Sequence, residues 1–325
     1  MKKSLPNFNK IISILADGAS HDGSSIGEKL GISRTAVWKT MKKLEAYDIS
    51  FESQKGKGYR LLEPLQLLDK TKIKRLLKNK SIVLDLFESV DSTQKYIREL
   101  SEKRKIHVCL AEHQTQGQGR FNRSWHSPFG QNIFFSMLYP LTKDISELGG
   151  LSLIMSLCLA KTIEETCTLP QPISIKWPND LLCDNRKLGG ILIEIQAEAH
   201  DFCHAIIGIG VNINMLEDKS KSISQDWTSL RKITQIWHDR NLILATLINN
   251  IMIYMENFVD KGFAYFMKEW AKHDFLVNKP IGIKAVNKEI HGLAMGINTN
   301  GHLLVKLDET EAVKPFAAGE TTILK

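Results

Sequence analysis

Cysteine is scarce in this 325-residue chain and poorly placed for cross-linking. The five residues, at 109, 158, 167, 183 and 203, form an odd, widely spaced set with no Cys-x-x-Cys pair, which argues against a disulfide framework and a structural zinc site. Long hydrophobic runs are missing too. The longest, "LSLIMSLCLA" at 151–160, is too short to cross a bilayer and reads as a buried helix. The opening "MKKSLPNFNK" turns polar after two lysines, so no secretory signal is expected. Internal repeats and low-complexity tracts do not occur. These absences point to a cytoplasmic protein with no membrane partner, and the length leaves room for two or three domains.

Positive charge is present in modest excess, +7 overall, but unevenly spread. Residues 1–62 hold eleven Lys and Arg against six Asp and Glu, so this fifth of the chain carries +5. Phe8, Ile11, Ile12 and Leu15 recur at helical spacing after Asn7, read as a cap, and Asp17-Gly18 ends that helix. Ser25 and Glu28 read as a capping box opening a second helix that stops at Leu30-Gly31. Ser33 caps a third, in which Val37, Met41 and Leu44 share one face and Thr35, Trp38, Lys39 and Lys42 the other. "ISFES" and "GYRLL" then flank Gln54-Lys55-Gly56-Lys57 as a hairpin with a basic turn. Helix, glycine turn, helix and wing form a winged helix-turn-helix. Its expected DNA contacts are Ser33, Arg34, Thr35, Lys39, Lys42, Lys55 and Lys57, against the alternative of a protein-binding domain with solvated lysines. Trp38 reads either as packing or as a base contact.

Beyond a boundary near 63–66, several strands are expected between 82 and 270. "VCLAEHQ" leads into the loop "HQTQGQGRFNRSWHSPFG" (113–130) and "NIFFSMLY" leaves it. The loop is neither a Walker A motif, lacking Gly-Lys-Ser/Thr, nor a dinucleotide fingerprint, because a strand follows. Its glycines and arginines can cradle an anion, but standing alone the motif is weak and a flexible basic turn is the better reading. Lys176 ends the alternating strand "ISIKWPND", and Lys187 opens "KLGGILIEIQ". A lysine on a mostly apolar strand needs an anion or solvent, and two such lysines beside the loop suggest one shared anionic ligand. In "IIGIGVNIN", Ile207, Ile209, Val211 and Ile213 face one way while Gly208, Gly210, Asn212 and Asn214 face the other. The second face admits close approach, by a ligand or by a crossing helix.

In order and spacing, "DSTQ", "EHQTQGQGRFNRSW", "SPFGQNIFFSM", "KWPNDLL", "KLGGILIE" and "GIGVNIN" resemble the biotin–protein ligases. With the N-terminal domain, the chain is similar nearly end to end to bacterial enzymes that also repress the biotin operon. The resemblance implies an α/β (α+β) protein. A winged helix-turn-helix (1–63) would precede a mixed-sheet catalytic domain (66–272) and a small SH3-like β barrel (277–325). It implies ATP-dependent formation of biotinyl-5′-AMP, typically with Mg²⁺ on the triphosphate, and transfer of biotin to a lysine of the biotin carboxyl carrier protein of acetyl-CoA carboxylase. No metal ligand of the protein's own is expected. Biotinyl-AMP would promote a homodimer that binds the biotin operon operator DNA.

By the same resemblance Ser92, Thr93, Gln94, Gln114, Gln118, Gly119, Arg120 and Lys187 bind biotin. Gly117, Arg123, Trp125, Asn179 and Asn212 bind nucleotide, with Trp227 near the adenine, and Lys176, Lys187 and Arg120 serve the reaction. The family commonly reads Gly-Arg-Gly-Arg where this chain has Gly117-Gln118-Gly119-Arg120, so weaker retention of the adenylate is expected. Asp180 either orients the incoming amine or caps a turn. The C-terminal strands "PIGIKAV", "IHGLAMGI", "HLLVKL" and "EAVKPF", with a hairpin at Asn300-Gly301, show no chemistry of their own, although the family's barrel is thought to help bind ATP or the carrier. A ligase without repression, a lipoate–protein ligase and a non-catalytic ligand sensor are the competing readings.

Overall fold

Phe8, Ile11, Ile12 and Leu15 are all buried on helix α1 (Phe8–Leu15), and they meet Ile26 of α2 (Gly23–Leu30) and Val37, Met41 and Leu44 of α3 (Arg34–Ala46) in one apolar cluster. In a computed structural model the chain is described except at residues 1–6, 48, 55, 142–144, 198–202, 219, 286–287 and 325. Two caps differ from the sequence reading. Asn7 makes no side-chain cap bond. Helix α2 starts before Ser25, because the Asp22 carboxylate takes the amides of both Ser24 and Ser25. Ser33 caps α3 as expected, accepting from Ala36 N. Strands β1 (Phe51–Gln54) and β2 (Gly58–Leu61) pair antiparallel as the wing.

The central layer is a seven-stranded sheet in the order β3-β4-β5-β9-β8-β7-β6. Its strands are β3 (Val83–Phe87), β4 (His107–Ala111), β5 (Ile133–Leu141), β6 (Ile173–Lys176), β7 (Asp180–Cys183), β8 (Arg186–Ala197) and β9 (Cys203–Val211). Only β3 and β4 run parallel. Helix α4 (Lys70–Leu76) leads in, and α5 (Thr93–Arg98) follows β3 with Ser92 as its cap. Helix α6 (Leu151–Thr166) carries the apolar run read as buried, and it is. The short α7 (Leu230–Thr234) precedes α8 (Arg240–Lys261), which the sequence reading leaves unassigned. Its Asn249 and Asn250 interrupt the apolar pattern, yet their side chains bond Leu76 O and Glu165. By length and apolarity α8 would suit a membrane span, but Ile243, Leu244, Leu247, Ile248 and Ile251 are buried in the shared core. Helix α9 (Met267–His273) closes this layer.

The odd residues of β9 and β5 face that core, with Ile207, Ile209, Phe135 and Met137 buried in it. On the other face α5 covers only Cys109, Leu138 and Ile206, through Ile97. The rest of this face is left for the site.

The C-terminal sheet is antiparallel, in the order β13-β12-β11-β10-β14. Four strands match the expected ones: β10 (Pro280–Ala285), β11 (Lys288–Ile297), β12 (Leu303–Leu307) and β13 (Val313–Phe316). The fifth, β14 (Glu320–Ile323), is polar on both sides of Thr321 and carries little sequence signal. Trp177 sits between sheet and module, donating from Nε1 to Gly301 O at 3.1 Å while its carbonyl accepts from Thr321 Oγ1.

Candidate functional site

Gly208 and Gly210 lie on the uncovered face of β9, and two of the chain's own side chains fill the space. A Cβ on Gly210 would stand 2.5 Å from the Trp125 ring, and one on Gly208 would collide with Gln94 Oε1. The neighbouring asparagines on this face are tied internally. Asn212 donates to Thr228 O at 3.1 Å, while Asn214 exchanges two hydrogen bonds with the His238 backbone.

The loop between β4 and β5 folds back on itself. Trp125 N donates to Gly117 O at 2.9 Å and Gly119 N to Arg123 O at 2.7 Å, leaving one 3-10 turn, Arg120–Asn122, at the tip. Phe121 and Asn122 there hold left-handed φ values of 55° and 57°, and Phe121 is exposed. Gly117 and Gly119 differ. A Cβ on Gly117 would lie 2.5 Å from Trp125 O, whereas at Gly119 the nearest atom is 3.5 Å away. Of these two, only Gly117 is sterically required.

Loop, sheet and C-terminal module enclose a cavity of ≈1070 Å³. Ser92, Thr93, Gln94, Gln114, Gly117, Gln118, Gly119, Arg120, Arg123, Trp125, Lys176, Asn179, Asp180, Lys187, Asn212 and Trp227 all line it. One end is uncharged and hydrogen-bonded. Thr93 N donates to Gln114 Oε1 at 2.8 Å, Ser136 Oγ lies 2.8 Å from Thr93 Oγ1 and 3.1 Å from Gln94 Oε1, and Gln94 Nε2 lies 3.3 Å from Ile206 O. Ser136 is absent from the sequence-derived set. Its signal is the lone serine in "NIFFSMLY", on the face opposite Phe135 and Met137.

The other end is cationic. Arg120 donates to Asn179 Oδ1 at 3.0 Å and to Gly319 O at 3.4 Å. Arg123 pairs with Glu320 at 2.5 Å and Lys187 with Asp180 at 2.9 Å. Burial pushes the Lys176 ammonium below the usual lysine range; Asp180 opposes this and Lys187 adds to it. Burial likewise lowers Arg120. Such partly desolvated cations favour an entering anion. Asp180, read from sequence either as orienting the incoming amine or as capping a turn, pairs with Lys187.

Neighbouring modules contribute more than the sequence indicates. The C-terminal module, read as having no chemistry of its own, supplies Glu320 and Thr321 to the cavity wall. From the loop, Phe129 enters the N-terminal cluster and stacks on Tyr47 with ring centroids 4.5 Å apart, while Lys43 pairs with Glu88. Ser33, Arg34, Thr35, Lys39 and Lys42 are exposed along α3, as is Lys57 in the wing, and Lys55 lies outside the described residues. Trp38 is 50% exposed under Lys42, so it does not complete the packing of the cluster.

Residues 86–212 match the model of the Biotin/lipoate A/B protein ligase family, and residues 8–60 that of an HTH domain. The chain is 35% identical to the bifunctional ligase/repressor BirA of Salmonella typhimurium over 96% of both chains. With that of Escherichia coli it shares 34% identity over 97% of this chain and 96% of the other. Among solved structures, the biotin protein ligase of Aquifex aeolicus in complex with biotin and ATP superposes with a TM-score of 0.63 at 28% identity, covering 75% of this chain and 99% of that one.

Proposed function

This chain belongs to the bifunctional biotin–protein ligase/repressors, and on that premise we propose how its own residues divide the work. The chain joins biotin to ATP, forming biotinyl-5′-AMP, transfers biotin to a carrier protein, and represses transcription through its N-terminal domain. Biotin lies at the hydrogen-bonded end, where Ser92, Thr93, Gln94 and Gln114 offer the donors and acceptors that a ureido ring requires. ATP lies at the cationic end, against the loop from Gly117 through Arg123 and Trp125, with Asn179, Asn212 and Trp227 beside it. The division into 1–63, 66–272 and 277–325 belongs to the same proposal. The change of apolar cluster between Leu65 and Leu68 supports its first boundary.

In the first step a biotin carboxylate oxygen donates an electron pair to the α-phosphorus, and the bond to the pyrophosphate oxygen breaks. No side-chain nucleophile is needed. The chain's contribution is to hold two anions together, with Lys176, Lys187 and Arg120 offsetting their charge in a site partly shielded from water. Mg²⁺ fits this arrangement as a companion of the nucleotide. The described residues hold no cluster of three metal-ligating side chains, but Asp180, Glu217 and Glu320 line the cavity, and Mg²⁺ takes one or two carboxylates beside substrate phosphates. When bound, it neutralises charge on the departing pyrophosphate. In the second step a neutral lysine amine of the carrier attacks the acyl carbon, AMP leaves with the C–O electron pair, and the amine gives up a proton. Asp180, which lines the cavity beside Lys187, orients that amine.

The observation that carries this reading is one cavity joining the Thr93–Gln114 end to Lys176, Lys187 and Arg120. The chain with ATP, labelled biotin and an apo biotin carboxyl carrier domain is expected to leave acid-stable label on the carrier lysine. Unlabelled carrier, with an active control ligase labelling it, contradicts the reading.

The carrier subunit of acetyl-CoA carboxylase, the biotin operon operator and a homodimer formed with biotinyl-AMP bound are the proposed partners. The exposed basic residues of α3 and Lys57 support DNA contact. All five cysteines are buried, and Cys109, Cys158, Cys167 and Cys183 are free thiols, which suits the cytoplasm. Gln118 lines the cavity without adding charge. Gln118→Arg is expected to slow release of biotinyl-AMP about fivefold, the effect of one added contact of ~1 kcal/mol; stopped-flow off-rates check this.

A further inference from the structure

Two stretches far apart in sequence line the cavity, the 113–130 loop and residues 216–218 with 220–227. The second is fixed at its far end, where Lys187 N donates to Asp226 O and Thr228 N to Lys187 O. Its nearer part is a turn organised by Asp218, whose carboxylate accepts from Ser220 Oγ at 2.7 Å and Ile223 N at 2.8 Å. Ser220 Oγ in turn lies 3.0 Å from Ser222 Oγ. The two segments meet at His126. Its Nδ1 is 3.0 Å from Ser222 Oγ, and its Nε2 is 3.6 Å from Asp218 Oδ1. His126, Ser220, Ser222 and Ile223 all line the cavity, so this junction is part of the cavity wall.

We infer that His126 is a positioning residue for the ligase reaction: it latches Asp218 and residues 220–225 to the 113–130 loop and thereby sets how long the adenylate is retained. The inference rests on the reading that biotinyl-AMP forms in this cavity. An imidazole is well suited to the junction, because one ring nitrogen meets a hydroxyl while the other faces a carboxylate. Asp218 is only 7% exposed and held by its own turn, so its acceptor is presented in a fixed place. Without the latch, the nearer part of the second segment loses its tie to the loop, and the adenylate escapes sooner.

The test is the release rate of preformed biotinyl-AMP from the full-length protein, measured for wild type, His126→Ala, Ser222→Ala, the double variant and His126→Gln. His126→Ala is expected to release about fivefold faster, the effect of one hydrogen bond of ~1 kcal/mol. Ser222→Ala moves the same way, the double variant releases no faster than His126→Ala, and His126→Gln recovers most of the wild-type retention. The last two results would not follow from a general loosening of the loop. Wild-type release from His126→Ala, or single effects that multiply in the double variant, overturns the latch. If wild type forms no adenylate at all, the underlying reading fails instead, and the two failures are separated by the first measurement.

Discussion

Lys187→Ala lowers the rate of ATP–pyrophosphate exchange by more than tenfold, a barrier increase of at least ~1.4 kcal/mol. The ammonium stands at the cationic end of the cavity, 2.9 Å from Asp180, and is mostly screened from water. Removing it has two consequences of the same sign. The carboxylate and the α-phosphate lose a positive neighbour as the nucleophile approaches, and Asp180 is left as an unopposed negative charge beside them. Lys176 cannot compensate fully, since burial already disfavours its charged form. Lys187→Arg keeps the charge but spreads it over a planar fork, so it retains part of the activity. Exchange by Lys187→Ala at the wild-type rate would remove Lys187 from the reaction.

Glu112→Ala destabilises the central layer by roughly 3–5 kcal/mol, the cost of leaving a buried charge without its partner. The Arg240 side chain is 1% exposed and that of Glu112 5%. Arg240 donates to Glu112 Oε2 at 2.7 Å, to Asn132 O at 3.0 Å and to Gln66 O at 2.7 Å. Glu112 also accepts from Leu68 N, and its carbonyl from Gly130 N. One ion pair therefore holds both ends of the ligand loop and the segment leading from the N-terminal domain. The variant is expected to unfold at lower urea concentration by far-UV circular dichroism and to bind biotinyl-AMP more weakly. Adding Arg240→Met recovers part of the stability, because no charge is then buried unpaired, although Leu68 N and two carbonyls still lack partners. A wild-type urea midpoint for Glu112→Ala would show that the pair holds nothing.

Periodicity and punctuation made much of this architecture legible. The third helix, the wing, the sheet strands β4, β5, β6, β8 and β9 and the Asn300-Gly301 hairpin each follow from local pattern, whereas β7, between two turns, carried no strand signal of its own. Lys176, Lys187 and the loop were suggestive apart and became specific only as an ordered set. What stayed hidden depends on residues distant in the chain. Neither Gln94 nor Trp125 announces that it will fill the space above Gly208 and Gly210. The pairing of Glu320 with Arg123 spans almost 200 positions, and β14 has too few apolar residues to mark a strand. The reach of Asp22 past two serines also had no distinctive signature, since Ser25 and Glu28 supplied a plausible capping box of their own.

The account's central claim is that one chain makes biotinyl-AMP and uses it to control DNA binding. An electrophoretic mobility shift with the organism's own biotin operon promoter tests this most directly, with biotin and ATP added separately and together. The predicted result is a retarded complex only when both are present, the exposed basic residues of α3 and Lys57 meeting the DNA once the adenylate is held. A complex equally strong without biotin and ATP, or none with both present in a preparation that biotinylates the carrier, would contradict it.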